Sequence, residues 1–395
     1  MAEHHRVNMA LSDFELWAPT RLVISRGALG RLGALARELG ATRVLVVSDA
    51  GIVAAGHTAA GIESLAAAGL GTATFSGFRE NPSSREVEAG AQFARDFHPD
   101  LVVGLGGGSS MDCAKGINFL VSCGGRMQDY KGRGTATGPM LPAIAVPTTA
   151  GTGSETQSFA LITDDESGLK MACGDPRAAF RIAILDVNLT LTQPRALAAL
   201  TGIDALSHAV ESHVSRAATP ASRTFSREAW RLLARSLPGL FGEGGTIAAR
   251  EAAQFGAALA GFAIENAMLG AAHALANPLT AAHGIVHGQA VGLMLPHVVR
   301  FNGRNPAGDA CAAGYVELLA DIGIQATAAE AGDRLADWLA ALLQSSGLNT
   351  SLTACGCGHA DAHTLATAAA AQWTAGFNPR PVTAADLALL YEAAR

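Results

Sequence analysis

Short β-branched, fully apolar runs alternate with Ala-rich helical patterns up to about residue 190. The runs Arg43–Ser48, Gly71–Phe75, Leu101–Leu105, Ala143–Val146, Ser158–Thr163 and Arg181–Leu185 predict strands. Between the first three, residues 52–68 and 85–97 carry apolar positions at helical spacing. Strand, helix, strand in that rhythm predicts a mainly parallel sheet covered on both faces. Beyond residue 190 the strand pattern stops, and Ala/Leu-rich helical stretches broken by Pro and Gly run to the last residue. Thr192-Gln-Pro-Arg reads as a helix start with Pro194 in the first turn. The fold class expected is α/β plus all-α: a parallel-sheet domain over residues 1–190 and a helical domain over 191–395. A ligand site is expected in the cleft between them.

The longest apolar stretch, 252–276, is mostly Ala and Gly and contains Glu265, Asn266 and His273. That composition suits a buried helix and makes a poor membrane span. The chain of 395 residues is 49% hydrophobic and 16% charged, with net charge −6. No basic field exists to neutralise phosphates, which excludes a nucleic-acid partner. Six cysteines in so long a chain predict free thiols and a reducing cytoplasm rather than a disulfide framework. The first residues show no signal-peptide layout.

Three stretches carry chemistry. After the run Leu101–Leu105 come Gly106, Gly107 and Gly108, then Ser109, Ser110 and a helical pattern. Such a turn lets backbone amides approach an anion, with the helix dipole behind them. Val146-Pro-Thr-Thr-Ala-Gly-Thr-Gly-Ser-Glu155 places hydroxyls and glycines directly after another strand. Two such loops on one sheet predict a nucleotide site. Asp49 ends the strand RVLVVS, where an acid either accepts from ribose hydroxyls and repels a 2′-phosphate, favouring NAD over NADP, or caps the next helix.

In the helical half, Asp204 and His208 stand four apart and share one helix face. His273 and His287 are 14 residues apart, about 20 Å on a continuous helix. Pro278 and Gly284 between them allow the chain to bend and return. One carboxylate and three imidazoles then form a set suited to Zn2+ or Fe2+. The cluster Cys355-Gly-Cys357-Gly-His359 is too tightly spaced for the usual zinc motifs. His4 and His5 read as an exposed tail, and His57, His98, His213, His297 and His363 have no partner pattern.

Taken together, these motifs resemble the iron-containing (group III) alcohol dehydrogenase family. The matches run in order along nearly the whole chain: Asn81-Pro82, Gly106–Asp112, Pro147–Glu155, Gly202–His208, His273 and His287, Leu295-Pro-His and Asn378-Pro-Arg380. The resemblance implies a Rossmann-like N-terminal domain, a helical C-terminal domain and a divalent metal on Asp204, His208, His273 and His287. It implies NAD(P) over Gly106, Gly107, Gly108 and Ser109, with Asn81, Thr148, Thr149, Thr152 and Ser154 nearby. Asp112 would hold the turn or the cofactor, and Lys170 would reach the ribose or phosphates. A homodimer and a small alcohol or aldehyde substrate are implied as well. Many relatives carry a second His four residues after the third ligand; here that position is Asn277, whose amide cannot exchange a proton near neutral pH. For proton release in its place, His283 is the nearest titratable candidate in sequence, or a water chain through the ribose hydroxyls would serve. The expected activity is hydride transfer between NAD(H) and an alcohol, aldehyde or ketone. The alternatives are a maleylacetate-type or phosphonate/hydroxy-acid-type reductase or a dehydroquinate-synthase-like lyase on this scaffold, and more remotely a non-catalytic metal- or nucleotide-binding protein.

Overall fold

The computed structural model describes residues 14–242, 245–304 and 309–395; His4 and His5 lie outside them. Nine strands are present in the described residues: β1 (Arg21–Ile24), β2 (Arg43–Val47), β3 (Gly71–Phe75), β4 (Leu101–Gly106), β5 (Gly132–Arg133), β6 (Ala143–Pro147), β7 (Phe159–Thr163), β8 (Lys170–Gly174) and β9 (Ile182–Leu185). Six of them form one parallel sheet in the order β1-β9-β6-β4-β2-β3. Among them lie helices α1 (Leu32–Glu38), α2 (Ala50–Ala54), α3 (His57–Ala67), α4 (Ser84–Phe97) and α5 (Gly108–Cys123).

Strand β2 shows why the central runs are apolar without alternation. Leu45 and Val47 pack on one face with Val87 of α4 and Ile117 of α5. Val44 and Val46 pack on the other with Leu35 of α1 and Leu65 of α3. A strand buried on both faces reads as a continuous hydrophobic run.

Two strand expectations need correcting. Ser158–Thr163 does contain a strand, but β7 pairs antiparallel with β8 in a separate three-stranded sheet. Strands β1, β5 and β8 were not legible: β1 is a four-residue edge strand, β5 has two residues, and β8 reads Lys-Met-Ala-Cys-Gly with no β-branched residue.

From Arg195 onward the described chain is helical: α6 (Arg195–Val214), α7 (Pro220–Phe241), α8 (Ile247–Ala267), α9 (Ala271–His283), α10 (His287–Gly303), α11 (Asp309–Asp321), α12 (Ala328–Ser345), α13 (Ala362–Ala370) and α14 (Ala384–Ala393). Pro194 stands at the N-cap of α6, one place before the first turn expected for it. The apolar stretch 252–276 is not one helix. It breaks after Ala267, where Met268 takes φ 62°, and α8 and α9 meet at 105°. No single helix in the described residues is long and apolar enough to cross a membrane.

Pro278 does not break the chain either. It lies inside α9, and the nearby Leu275 carbonyl takes a bond from the Tyr391 hydroxyl at 2.6 Å. Pro278 removes the amide that would bond the Ala274 carbonyl, and the helix runs on past it. The turn is made at Gly284 alone, in the left-handed region at φ 67°.

Candidate metal centre and nucleotide cleft

Helix α6 brings Asp204 and His208 to one face, α9 supplies His273 near its start, and α10 opens on His287. Asp204 Oδ1 lies 3.5 Å from Nε2 of His208, 3.5 Å from Nε2 of His273 and 3.8 Å from Nε2 of His287. The His208 and His273 rings stack at 4.8 Å, and the His287 ring lies 5.5 Å from that of His273. Asp204, His208 and His273 form a compact group, with one ligand atom from each within 4.8 Å of the others; His287 stands slightly outside it. Asp204 Oδ1 and His273 Nε2 are buried with no hydrogen-bond partner. An unpaired buried polar group costs about 1–3 kcal/mol, so this donor set fits a cation.

Electrostatics prepare three of the four residues for that role. Burial pushes His208 down to about 4 and His287 down to about 3, so both imidazoles are neutral near pH 7. Burial works against ionised Asp204, yet the surrounding imidazoles hold it well below the usual carboxylate range. Burial also opposes a charged His273, but its contacts with Asp204 and Glu211 raise it to about 9.

Glu211 was not anticipated. Its Oε2 accepts from His273 Nδ1 at 2.6 Å, and its Oε1 accepts from the Ala272 amide at 2.7 Å. The signal was available: Glu211 stands three residues after His208, on the same face of α6.

Asn277, one turn beyond His273 on α9, donates from Nδ2 to Gln372 Oε1 at 3.0 Å. Gln372, unlike Glu211, carried no sequence signal. His283 ends α9, ten residues past His273, which is about 15 Å along the helix axis. The continuity of α9 through Pro278 is what carries His283 away from the ligand group.

The second part of the site sits at the sheet. From β2 the chain moves outward to β3, and from β4 it moves outward on the opposite side to β6, so the strand order reverses between β2 and β4. Ligands of parallel sheets bind at such a switch point, beyond the strands' carboxyl ends. Asp49 follows β2 there, and the Gly106–Gly108 turn closes β4. Asp49 Oδ1 caps α2 by accepting from the Gly51 and Ile52 amides, and its Oδ2 accepts from Ser110 Oγ at 3.0 Å. The capping alternative is therefore realised. Ser110 does not cap α5, because its hydroxyl serves Asp49. Ser109 Oγ accepts from the Asn81 amide at 3.2 Å. No side chain caps α5, so its first amides face the cleft unblocked.

The threonine loop closes over this turn. The Thr148 amide donates to the Gly106 carbonyl at 2.9 Å, and a Cβ on Gly108 would meet Thr152 Cγ2 at 2.7 Å. Thr148 Oγ1 and Thr149 Oγ1 are buried without partners. Asp112 Oδ1 accepts from Ser154 Oγ at 2.6 Å, so it ties helix to loop rather than reaching the turn itself. Lys170 Nζ donates to Asn81 Oδ1 at 2.8 Å. Beneath the loop, sequence reasoning missed Lys115. Its fully buried ammonium donates to the Ser154 and Phe159 carbonyls at 2.8 and 2.7 Å and to Ser154 Oγ at 3.0 Å. Burial lowers it to about 8. No metal-binding group involving Cys355, Cys357 and His359 occurs among the described residues.

Comparisons with known proteins assign the chain to a family. Residues 19–187 match the family profile described as iron-containing alcohol dehydrogenase, and residues 198–395 match that of the Fe-containing alcohol dehydrogenase family, C-terminal. The chain is 36% identical to the NAD-dependent methanol dehydrogenase of Bacillus methanolicus over 284 residues, 72% of this chain and 74% of that protein. A solved 1,3-propanediol oxidoreductase superposes with a TM-score of 0.92 at 30% identity, covering 97% of this chain and all of that one. A sulfoacetaldehyde reductase from Bifidobacterium kashiwanohense, solved in complex with NAD+, superposes with a TM-score of 0.86 at 28% identity, covering 97% and 99% of the two chains. Both halves of the chain thus match in order and over almost their full length, and the chain belongs to the iron-containing alcohol dehydrogenase family of oxidoreductases.

Proposed function

We propose that this chain is a metal-dependent, NAD-linked dehydrogenase of small alcohols that also runs in reverse as an aldehyde or ketone reductase. The work is done in the cleft between an α/β half (1–190) and a helical half (191–395). The reading is carried by the convergence of three imidazole Nε2 atoms on Asp204 Oδ1 at 3.5–3.8 Å, with Asp204 Oδ1 and His273 Nε2 left unpaired and buried. Asp204, His208, His273 and His287 would hold Fe2+ or Zn2+; carboxylate and imidazole suit both. When bound, the metal supplies Lewis acidity to the substrate oxygen and the nicotinamide supplies the hydride carrier.

The chain's own groups supply alignment and a prepared electrostatic field. His208 and His287 stay neutral and Asp204 stays anionic, as ligation requires, while His273, raised to about 9 by Asp204 and Glu211, must give up its Nε2 proton to ligate. The open amides of α5, with Ser109 and the unpaired Thr148 and Thr149 hydroxyls, suit cofactor phosphates and amide, while Thr152, Ser154 and Asp112 hold the loop in place. Lys170 and Asn81, paired with one another, flank that turn. The Asp49 carboxylate above it disfavours a 2′-phosphate and so favours NAD. Asn277 orients the substrate by hydrogen bonding and exchanges no proton. All six cysteines are free thiols, in keeping with a reducing cytoplasm. A homodimer is proposed on family grounds.

The test is metal analysis of the purified protein, followed by NADH absorbance with a panel of alcohols and aldehydes after each metal is added back. Metal and NAD bound without turnover would leave a binding protein and sink this reading.

A further inference from the structure

Helix α9 carries His273 in its first turn, yet its N-cap residue is Gly270, which has no side chain to serve the exposed amides. Those amides are served from elsewhere. The Ala271 amide donates to Asn378 Oδ1 at 3.2 Å, from 107 residues downstream. The Ala272 amide donates to Glu211 Oε1 at 2.7 Å, from α6. The second Glu211 oxygen receives His273 Nδ1 at 2.6 Å. Both acceptors crowd over Gly270: a Cβ there would meet Glu211 Oε1 at 2.9 Å and Asn378 Oδ1 at 3.0 Å.

Asn378 is itself held at several points. Its Nδ2 donates to Asn302 Oδ1 at 2.7 Å and to the Arg380 carbonyl at 2.6 Å, and its Oδ1 also accepts from Asn302 Nδ2 at 3.1 Å. Arg380 in turn donates to the Phe301 carbonyl at 2.8 Å and stacks 3.6 Å above the Phe301 ring. The Asn378-Pro-Arg380 motif thus locks the end of α10 to the start of α9.

We infer that Glu211 and Asn378 together form a split cap for α9, and that Glu211, through the same contact, fixes which nitrogen of His273 faces the metal. The inference rests on the proposed ligand set and adds two positioning residues to it. The geometry makes Glu211 irreplaceable by its own isostere. Both of its oxygens accept from N–H donors, and a glutamine has one oxygen. If that oxygen stays on Ala272, the amide N–H faces Nδ1, the imidazole proton moves to Nε2, and Nε2 no longer ligates. If the amide turns over, the Ala272 amide loses its acceptor. A carboxylate also favours the positive end of a helix, and an amide does not. Groups that orient a ligating imidazole are typically worth 10–100-fold in metal affinity.

The test measures Zn2+ affinity by competition with a chromophoric chelator for wild type, Glu211→Gln, Gly270→Ala and Asn378→Ala, with circular dichroism of each. The expected result is roughly 10–100-fold weaker binding for Glu211→Gln. A loss in the same direction is expected for Gly270→Ala, which displaces both acceptors, and a smaller one for Asn378→Ala, which leaves the His273 contact intact. Histidine-labelled, Zn2+-loaded wild type provides a second measurement that needs no variant: nitrogen NMR should show His273 protonated at Nδ1 and metal-bound at Nε2. Wild-type affinity in a folded Glu211→Gln protein, or metal on Nδ1, overturns the inference. If wild type itself binds no Zn2+ or Fe2+, the metal reading fails first and takes this inference with it.

Discussion

Asn277 Nδ2 donates to Gln372 Oε1 at 3.0 Å, one helical turn from His273. The position at which the family resemblance leads one to expect a second histidine is therefore occupied by a neutral amide pair, held by a bond between α9 and the segment that follows α13. Replacing Asn277 with His introduces a group whose ordinary value is near 6.5. Asn277→His is expected to add a step near that pH to the kcat profile and to raise kcat roughly 10-fold or more if proton release limits it. His283→Ala, far along the helix, is expected to leave the profile unchanged. Comparing the two profiles with wild type checks both statements.

Removing the metal should cost activity and stability together. Asp204→Asn, or dialysis against a chelator, is expected to lower turnover by about 10³ or more, the scale of several kcal/mol of lost Lewis-acid stabilisation. Metal held at 1,000 times its dissociation constant contributes about 4 kcal/mol to stability, so the melting temperature should fall on chelation. Calorimetry with and without added Fe2+ or Zn2+ measures the difference; an unchanged midpoint would count against the site.

His213 gives stability a pH dependence away from the ligands. Burial pushes it down to about 4, although Glu317 lies 3.3 Å from Nε2 and Ser226 3.0 Å from Nδ1. The unfolded residue takes up its proton near pH 6.5 and the folded one only near 4. Between those values the unfolded state binds more protons, so stability should fall as the pH drops from 6.5 to 4. The loss is on the order of 3 kcal/mol and does not grow below pH 4. His213→Gln should flatten this part of a denaturant-midpoint profile taken against pH.

Asp49→Asn keeps an acceptor for the α2 amides while removing the charge above the glycine turn. The relative kcat/KM with NADP over NAD is expected to rise about tenfold, a modest share of the like-charge repulsion near a protein surface. An unchanged ratio would leave Asp49 with its capping duty alone.

Lys115→Met removes the ammonium that satisfies two carbonyls and a hydroxyl under the threonine loop. Leaving a buried acceptor without its donor typically costs about 1–3 kcal/mol. Chemical denaturation should show a loss of that size, along with weaker cofactor binding, because Ser154 loses its anchor.

The sequence was most legible where burial or spacing is one-dimensional. Runs such as Val44–Val47 and Leu101–Leu105 announce strands covered on both faces, and the four-residue step from Asp204 to His208 is a helix face. It was least legible where a local break is set by distant partners. Nothing in Ala267-Met-Leu-Gly270 marks the end of a helix, because Met268 is not a residue that favours positive φ. Pro278 looked like a break, yet α9 runs through it to His283. Glu211 and Lys115 were written in plain view on helices whose spacing was already in use. Their roles depend on Ala272, His273, Ser154 and Phe159, which sequence proximity does not bring to them. Gln372 faces Asn277 only because the segment after α13 packs on α9.

The split cap on α9 also bears on the order in which the protein is made. Asp204, His208, Glu211, His273 and His287 have all been synthesised well before Asn378, and a chain stopped between them holds every proposed ligand with one amide of α9 still unserved. Full metal affinity is then reached only once Asn378 has joined the fold, and a chain stopped short of it should bind metal with the smaller loss expected of Asn378→Ala.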